Sequence, residues 1–302
     1  MLVNSKKLLI KAKENKKAVG AFNFSTLEQL KAIVNACKKC NAGCILSTSE
    51  GAIKFIGIKN IVSMVKNEVE ELDIEFALHL DHGKSFEKCK LDIDSGYTSV
   101  MIDDSNLSFE KNVKTTLQVV EYAKKYNVSV EAELGKLQGI EDNVSSMESV
   151  LTSPLEASDF IEKTGIDSLA ISIGTSHGAY KFKGESKLHI DRLKEINKIT
   201  KHFPLVLHGA SSVNKDLVSK FNLSGGKIEN AKGVDDNSIV SAIENGICKI
   251  NVDTDLRISF TTGVRESLKN KEVFDLRTYL SNGIKFMEEE VINRIKLFNL
   301  QI

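Results

Sequence analysis

The sequence predicts a (β/α)8 barrel, and three observations predict it. Eight short, β-branched runs recur along the 302 residues, at 18–24, 43–49, 75–80, 99–102, 128–133, 168–173, 204–207 and 247–252. Helical patterns separate most of them, the alternation that builds a parallel sheet. Three of the six histidines close such runs, each followed at once by glycine: His82-Gly83, His177-Gly178 and His208-Gly209. Side chains at separate strand ends converge only if those strands end on the same side, and barrels carry their active sites at the C-terminal ends of the strands. The length suits one α/β barrel spanning 1–302 as a single domain, with right-handed crossovers. An open dinucleotide-binding sheet has little support, because no Gly-x-Gly-x-x-Gly turn follows the first run.

The elements follow in order. After the first run, Leu27, Leu30, Ile33, Val34 and Cys37 recur at helical spacing over 26–39. Cys37, Cys40 and Cys44 allow a thiolate metal cluster, but no fourth ligand follows nearby, so they are expected as small buried apolar residues. The third run contains His79, expected as a core histidine with a satisfied hydrogen bond, and leads into Asp81-His82-Gly83. Neighbours on a regular strand point to opposite faces, so Asp81 and His82 share a site only where the strand is ending, which Gly83 suits. The competing role for Asp81 is to cap the next helix, for which Ser85 also competes. The fourth run ends at Asp103, and 109–126 is helical.

Glu131 and Glu133 in the fifth run share a strand face, and buried carboxylates need a metal, a cation or hydrogen-bond donors. Asp103 and Glu133 could support a second metal position or be ordinary polar residues of a barrel mouth. The polar stretch 136–143 is long for a βα connection; it reads as a lid that carries Glu141 inward, or as a solvated loop. Ser153-Pro154-Leu155-Glu156 supplies an N-cap, a first-turn proline and a capping-box glutamate, and Gly165 closes that helix. Gly174-Thr175-Ser176 after the sixth run and Gly209-Ala210-Ser211-Ser212 after the seventh read as anion cradles, since small residues let backbone N–H groups approach a phosphate. Asn251 to Arg257 ends the eighth run and opens a helix whose N-terminus favours anions. Lys181 and Arg257 are the nearest cations for a second anionic group, and Arg257 can grip a phosphate with two parallel bonds. A last helix near 275–298 ends the chain.

Lysine plus arginine equals aspartate plus glutamate at 41 each, which argues against nucleic-acid partners and a polybasic membrane surface. No apolar stretch approaches the ~20 residues a spanning helix needs, and the first residues lack the order of a signal peptide. With an odd count of 5 cysteines, a cytoplasmic location is expected. Three histidines with an open fourth position make a catalytic zinc site.

Seven segments in order, all at the expected strand ends, carry a family resemblance. They are Ala21-Phe22-Asn23, Ser49-Glu50-Gly51-Ala52, His79-Leu80-Asp81-His82-Gly83, Glu131-Ala132-Glu133-Leu134-Gly135, Gly174-Thr175-Ser176-His177-Gly178, Leu207-His208-Gly209-Ala210-Ser211 and Asn251-Val252-Asp253-Thr254-Asp255. Over nearly its whole length the chain resembles the class II, metal-dependent fructose-1,6-bisphosphate aldolases. The resemblance implies zinc, or another divalent metal, on His82, His177 and His208, with Asp103 and Glu133 near an alternative metal position. It implies that Asp81 handles the C4 hydroxyl proton and that Glu141 moves the proton at the ketose carbon. Gly178, Gly209, Ser211, Asp253 and Thr254 match the dihydroxyacetone-phosphate cradle, and Asn251 the group that orients its carbonyl end. Asn23, Ser49, Lys181, Asp255 and Arg257 complete the expected substrate-binding set. A monovalent cation, Na+ or K+, often accompanies that phosphate, and the family forms homodimers and homotetramers. The chain departs from the family at Gln138, where a second glycine often precedes the lid, at Asp104, where glycine is common, and at Asp235, where proline is frequent.

The implied activity is reversible cleavage of fructose 1,6-bisphosphate. Tagatose-1,6-bisphosphate aldolases are the nearest alternative, but they usually replace the first aspartate of Asp253-Thr254-Asp255-Leu256-Arg257 with a small residue and the arginine with lysine. A Schiff-base route through Lys249 on the eighth run is a second rival. A non-catalytic barrel that binds sugar phosphates is a third.

Overall fold

The computed structural model describes residues 1–136, 150–176, 188–229 and 231–301, and the backbone of 138–141, 144–146 and 177. In chain order the strands are β1 (Val19–Asn23), β2 (Cys44–Ser49), β3 (Phe76–Gly83), β4 (Ser99–Ile102), β5 (Ser129–Leu134), β6 (Gln138–Glu141), β7 (Val144–Ser146), β8 (Ser168–Ile171), β9 (Ser176–His177), β10 (Leu205–Leu207) and β11 (Ile247–Val252). The helices are α1 (Ser5–Glu14), α2 (Leu27–Cys40), α3 (Glu50–Ile56), α4 (Ile58–Val69), α5 (Phe86–Ser95), α6 (Phe109–Lys124), α7 (Pro154–Thr164), α8 (Ile190–Ile199), α9 (Lys215–Leu223), α10 (Asp236–Glu244), α11 (Thr254–Leu268) and α12 (Leu276–Phe298). Eight strands close in the order β1-β11-β10-β8-β5-β4-β3-β2, and every pairing in that ring is parallel. The eight sequence runs are these eight strands, and the expected (β/α)8 barrel is the observed fold. Among the described residues no helix is long and apolar enough to cross a membrane.

Local chemistry sets the helix ends. Thr26 accepts from Gln29 N at 3.2 Å to start α2, and Asn41 closes it at φ 46°. Ser153, Pro154 and Gly165 start and stop α7 as their types predict, with Gly165 at φ 64°. Ser85, not Asp81, caps α5. Asp235 caps α10, accepting from Ser238 N at 2.9 Å.

Two layers share the barrel wall. Phe22, Leu46, Leu78, Val100, Val130, Leu169, Leu207 and Ile250 join helix residues such as Leu30, Ile33, Val65, Phe160 and Met287 in one apolar cluster. The inner face is largely polar, unlike the branched apolar filling usual in such barrels. It carries His79, Asp81, Ser99, Glu131, Glu133, His208, Lys249 and Asn251, all buried. Helix α1, which the sequence reading did not find, sets Leu8, Leu9 and Ala12 against Ala21, Ile45, Ala77 and Cys248. Burying each of the two leucines contributes roughly 1.5–3 kcal/mol.

Two expectations about chain path are corrected. Strand β8 ends at Ile171, and His177 does not close it; Gly174 turns the chain at φ 106° and His177 lies on the separate short strand β9. The stretch after β5 is not a plain loop: β6 pairs antiparallel with β7 and parallel with β9, so backbone hydrogen bonds hold it. Cys37 and Cys44 are buried, as expected, whereas Cys40 is half-buried; all five cysteines are free thiols.

One buried pair gives a stability prediction. Asp92 is fully buried on α5 and takes the Lys88 ammonium at 2.6 Å. Burial outweighs the lysine and lifts its carboxyl from 3.8 to about 6. The folded chain therefore binds more protons than the unfolded chain between those values, and stability falls as pH rises through that window. Asp92→Asn should gain up to roughly 3 kcal/mol at pH 7 and almost nothing at pH 4. Urea unfolding at both pH values checks this; an equal gain at both would refute it.

Candidate active site

The site begins where β3 breaks its regular pleat. Its register against β4 shifts between Leu80 and Gly83, and His82 sits at φ 51°, the left-handed region. That irregularity turns neighbouring Asp81 and His82 toward the same mouth, with His82 Nε2 4.0 Å from Asp81 Oδ1. Gly83 is required here, because a Cβ would lie 2.7 Å from Met101 O. Asp81 is held by two amides: Asn23 Nδ2 donates to Oδ2 at 2.8 Å and Asn251 Nδ2 to Oδ1 at 3.1 Å. The side-chain oxygens of Asn23 and Asn251 are buried and, among the described residues, without hydrogen-bond partners. A polyol hydroxyl would satisfy them.

Two imidazoles among the described residues at the mouth are each gripped on one nitrogen by a carboxylate. His82 Nδ1 lies 2.8 Å from Asp103 Oδ2, and His208 Nε2 lies 2.8 Å from Glu131 Oε1. The rings meet edge to face with centroids 4.7 Å apart. Burial favours neutral rings, but the Asp103 bond and the charges of Asp81, Asp103 and Glu133 push His82 up to about 10. Burial, helped by the charges of His82 and Lys249, lowers His208 despite Glu131. Burial and the neighbouring Asp103 push Glu133 well above the carboxylate range, and its Oε2, buried and 3.9 Å from His82 Nδ1, has no hydrogen-bond partner among the described residues.

This donor set fits a divalent metal. One candidate atom each from Asp81, His82 and His208 lie within 4.8 Å of one another, and the same holds for His82, Asp103 and Glu133. Imidazole nitrogens braced by carboxylates are the usual surroundings of a bound metal. The backbone of His177 is brought beside β6 by pairing with Gly139. Gly178 and Lys181 lie outside the described residues, as do the side chains of His177 and of Glu141 on β6.

The two expected anion cradles meet. Gly209, at φ 61°, packs on Ser176, where a Cβ would lie 2.5 Å from the carbonyl oxygen. Gly233 comes equally close to Ser211 and Ser212. Thr175 Oγ1 and Ser212 Oγ are buried hydroxyls without partners among the described residues, suited to a phosphate oxygen. Asp253 precedes α11 without capping it through its side chain, and instead takes Arg257 Nε at 2.8 Å and Nη2 at 2.7 Å. Thr254 begins that helix. Ser49 caps α3, accepting from Ala52 N at 3.3 Å. Asp255 is fully buried and accepts from the backbone of Ser212 and Val213 at 2.8 Å each, so it braces the cradle from behind. Gly209→Ala should lose most phosphate-dependent activity, because both a left-handed φ and a backbone oxygen oppose the methyl group. The check is KM for the phosphorylated substrate in protein shown to be folded.

Two inner-face residues were missed as partners in this site: Glu131, which holds His208, and Lys249, which holds Glu131 at 2.8 Å. The available signal was a lysine inside the apolar run 247–252, since a buried ammonium requires a partner.

Known proteins match this chain throughout. The model of the family described as fructose-bisphosphate aldolase class-II matches residues 3–301. A fructose-bisphosphate aldolase of Helicobacter pylori is 45% identical over 301 residues, covering 98% of each chain. One from Thermus caldophilus is 46% identical over 301 residues, covering 99% of this chain and 98% of that one. The solved structure of the YdjI aldolase from Escherichia coli K12 superposes with a TM-score of 0.82 at 27% identity, covering 99% of this chain and 97% of that one. With a family model matched from end to end and relatives of this identity, the chain belongs to the class II fructose-bisphosphate aldolases, a family of metal-dependent lyases.

Proposed function

We propose that this chain catalyses the reversible cleavage of fructose 1,6-bisphosphate to dihydroxyacetone phosphate and glyceraldehyde 3-phosphate with zinc as its metal. The observation that carries the reading is Asp81, fixed by two asparagine amides beside two carboxylate-braced imidazoles. His82, His177 and His208 would hold the ion. A divalent ion there supplies Lewis-acid polarisation of the ketose carbonyl. Asp81 takes the C4 hydroxyl proton, C4 becomes the aldehyde carbon of glyceraldehyde 3-phosphate as C3–C4 breaks, and the electron pair passes toward C2. Glu141 returns a proton to C3, giving dihydroxyacetone phosphate. Asn251 orients the carbonyl end. Gly178, Gly209, Ser211, Asp253 and Thr254 cradle its phosphate, with a monovalent cation as companion, and Asn23, Ser49, Lys181 and Arg257 serve the rest of the substrate. Asp255 acts here through the cradle backbone it braces. Asp103 and Glu133 provide a second metal position or hold the first ligand in place.

The intact Asp253–Arg257 pair favours the fructose over the tagatose substrate. Lys249, the lysine of the Schiff-base rival, is buried with its ammonium on Glu131 and His79, and that pairing argues against the route. The test is cleavage of both bisphosphates with and without a chelator and with zinc added back. Chelator-sensitive, zinc-restored activity that prefers fructose 1,6-bisphosphate is expected. Preference for tagatose 1,6-bisphosphate would overturn the specificity, and chelator-resistant cleavage would overturn the metal's role.

A further inference from the structure

Beneath the mouth a polar chain runs down the barrel axis. Lys249, fully buried, places Nζ 3.0 and 2.8 Å from the two oxygens of Glu131 and 3.3 Å from His79 Nε2. His79 Nδ1 meets Ser99 Oγ at 2.7 Å, and Ser99 Oγ meets Ser5 Oγ of α1 at 2.9 Å. Ser168 Oγ adds a bond to Glu131 Oε2 at 3.3 Å. Fold stability alone does not ask for such an ion pair, since buried pairs are often replaced by apolar residues without loss.

The donor inventory fixes the direction of the bonds that meet at Lys249 and Glu131. An ammonium only donates, and a carboxylate facing it only accepts. Glu131 Oε1 therefore accepts from His208, and the proton of the neutral ring sits on Nε2. Nδ1 is left bare. Independently, Asn251 Nδ2, whose orientation is set by donation to Asp81, lies 3.2 Å from that same Nδ1 as a donor.

We propose that Lys249 is a positioning residue for the metal: it anchors Glu131, Glu131 holds the Nε2–H of His208, and Nδ1 is thereby the nitrogen presented to the ion. The proposal rests on reading His208 as a metal ligand. Lys249 touches neither substrate nor metal, so its effect passes entirely through Glu131 and the His208 tautomer. His79 takes the remaining Lys249 donor and ties the anchor to the N-terminal helix.

The test uses metal-free protein labelled with ¹⁵N-histidine, with His208 assigned by its loss in His208→Asn. The Nε2–H tautomer of His208 is expected in the unaltered chain. In the double variant Lys249→Met/Glu131→Gln no buried charge is stranded, and the amide can offer either its oxygen or its nitrogen to the ring. A mixture of tautomers should result, with zinc affinity reduced ~10–100-fold in chelator competition and turnover largely recovered at saturating zinc. A folded double variant with the original tautomer and zinc affinity would overturn the proposal. So would an Nδ1–H ring in the unaltered chain, which decides the matter even if the double variant does not fold. Failure of the unaltered chain to bind zinc or cleave sugar bisphosphates would instead overturn the aldolase reading, and the tautomer spectrum, recorded without metal, keeps the two failures apart.

Discussion

Replacing Asp81 with alanine should lower kcat for fructose 1,6-bisphosphate cleavage by ~10²–10⁴-fold while KM moves far less. An amide fixes each oxygen of the carboxylate, Asn23 on Oδ2 and Asn251 on Oδ1. Those amides cannot take a proton; they hold the group that can. In the proposed reading substrate affinity rests mainly on the phosphate cradles, 174–176 and 209–212, which the substitution does not touch. Asp81→Asn separates proton transfer from shape, because it keeps the volume and loses the basicity. Both variants should bind one of the product phosphates nearly as the unaltered chain does. Because Asp81 Oδ1 is 4.0 Å from His82 Nε2, metal content must be measured alongside. Near-normal turnover in either variant at full metal content would remove Asp81 from the proton-transfer role.

The strand ends were legible because they combine local signals: an apolar run, a polar residue and a glycine. The caps of α5 and α7 were legible for the same reason, since Ser85 and Ser153 act within four residues of themselves. The interior was not. Barrel strands are apolar toward the helices, so Lys249 between Cys248 and Ile250 gives no parity that tells inside from outside. Its partner Glu131 is 118 residues away, and no local pattern joins them. Helix α1 escaped because it precedes the first strand and lies outside the β–α alternation. His177 stood beyond an apolar run and so looked like a strand end, but Gly174 turns the chain first. Asp255 shared a motif with Asp253, yet only the backbone turn at Ser212 and Val213 reveals that it faces inward.

The sharpest contrast should separate His82 from Asp103. His82→Ala removes a proposed ligand, so cleavage should fall to background and added zinc should not restore it. Asp103→Asn removes a brace: the amide can still accept from His82 Nδ1, but it can also present its nitrogen and turn the ring. Zinc affinity should then fall ~10–100-fold, and most of kcat should return when zinc is raised to saturation. The same pair of variants weighs the other role open to Asp103 and Glu133, a second metal position. A brace leaves the number of bound zinc ions per chain unchanged once the site is saturated. A ligand of a second ion lowers that number, and the loss cannot be titrated away. Ser105 donates to Asp103 through both its N–H and its hydroxyl, at 3.2 and 2.7 Å, leaving the other oxygen for His82. Both oxygens of Asp103 are thus committed to protein donors, which favours the brace. Glu133, with one buried oxygen lacking any partner among the described residues, is then the residue whose replacement would change metal stoichiometry if a second ion binds.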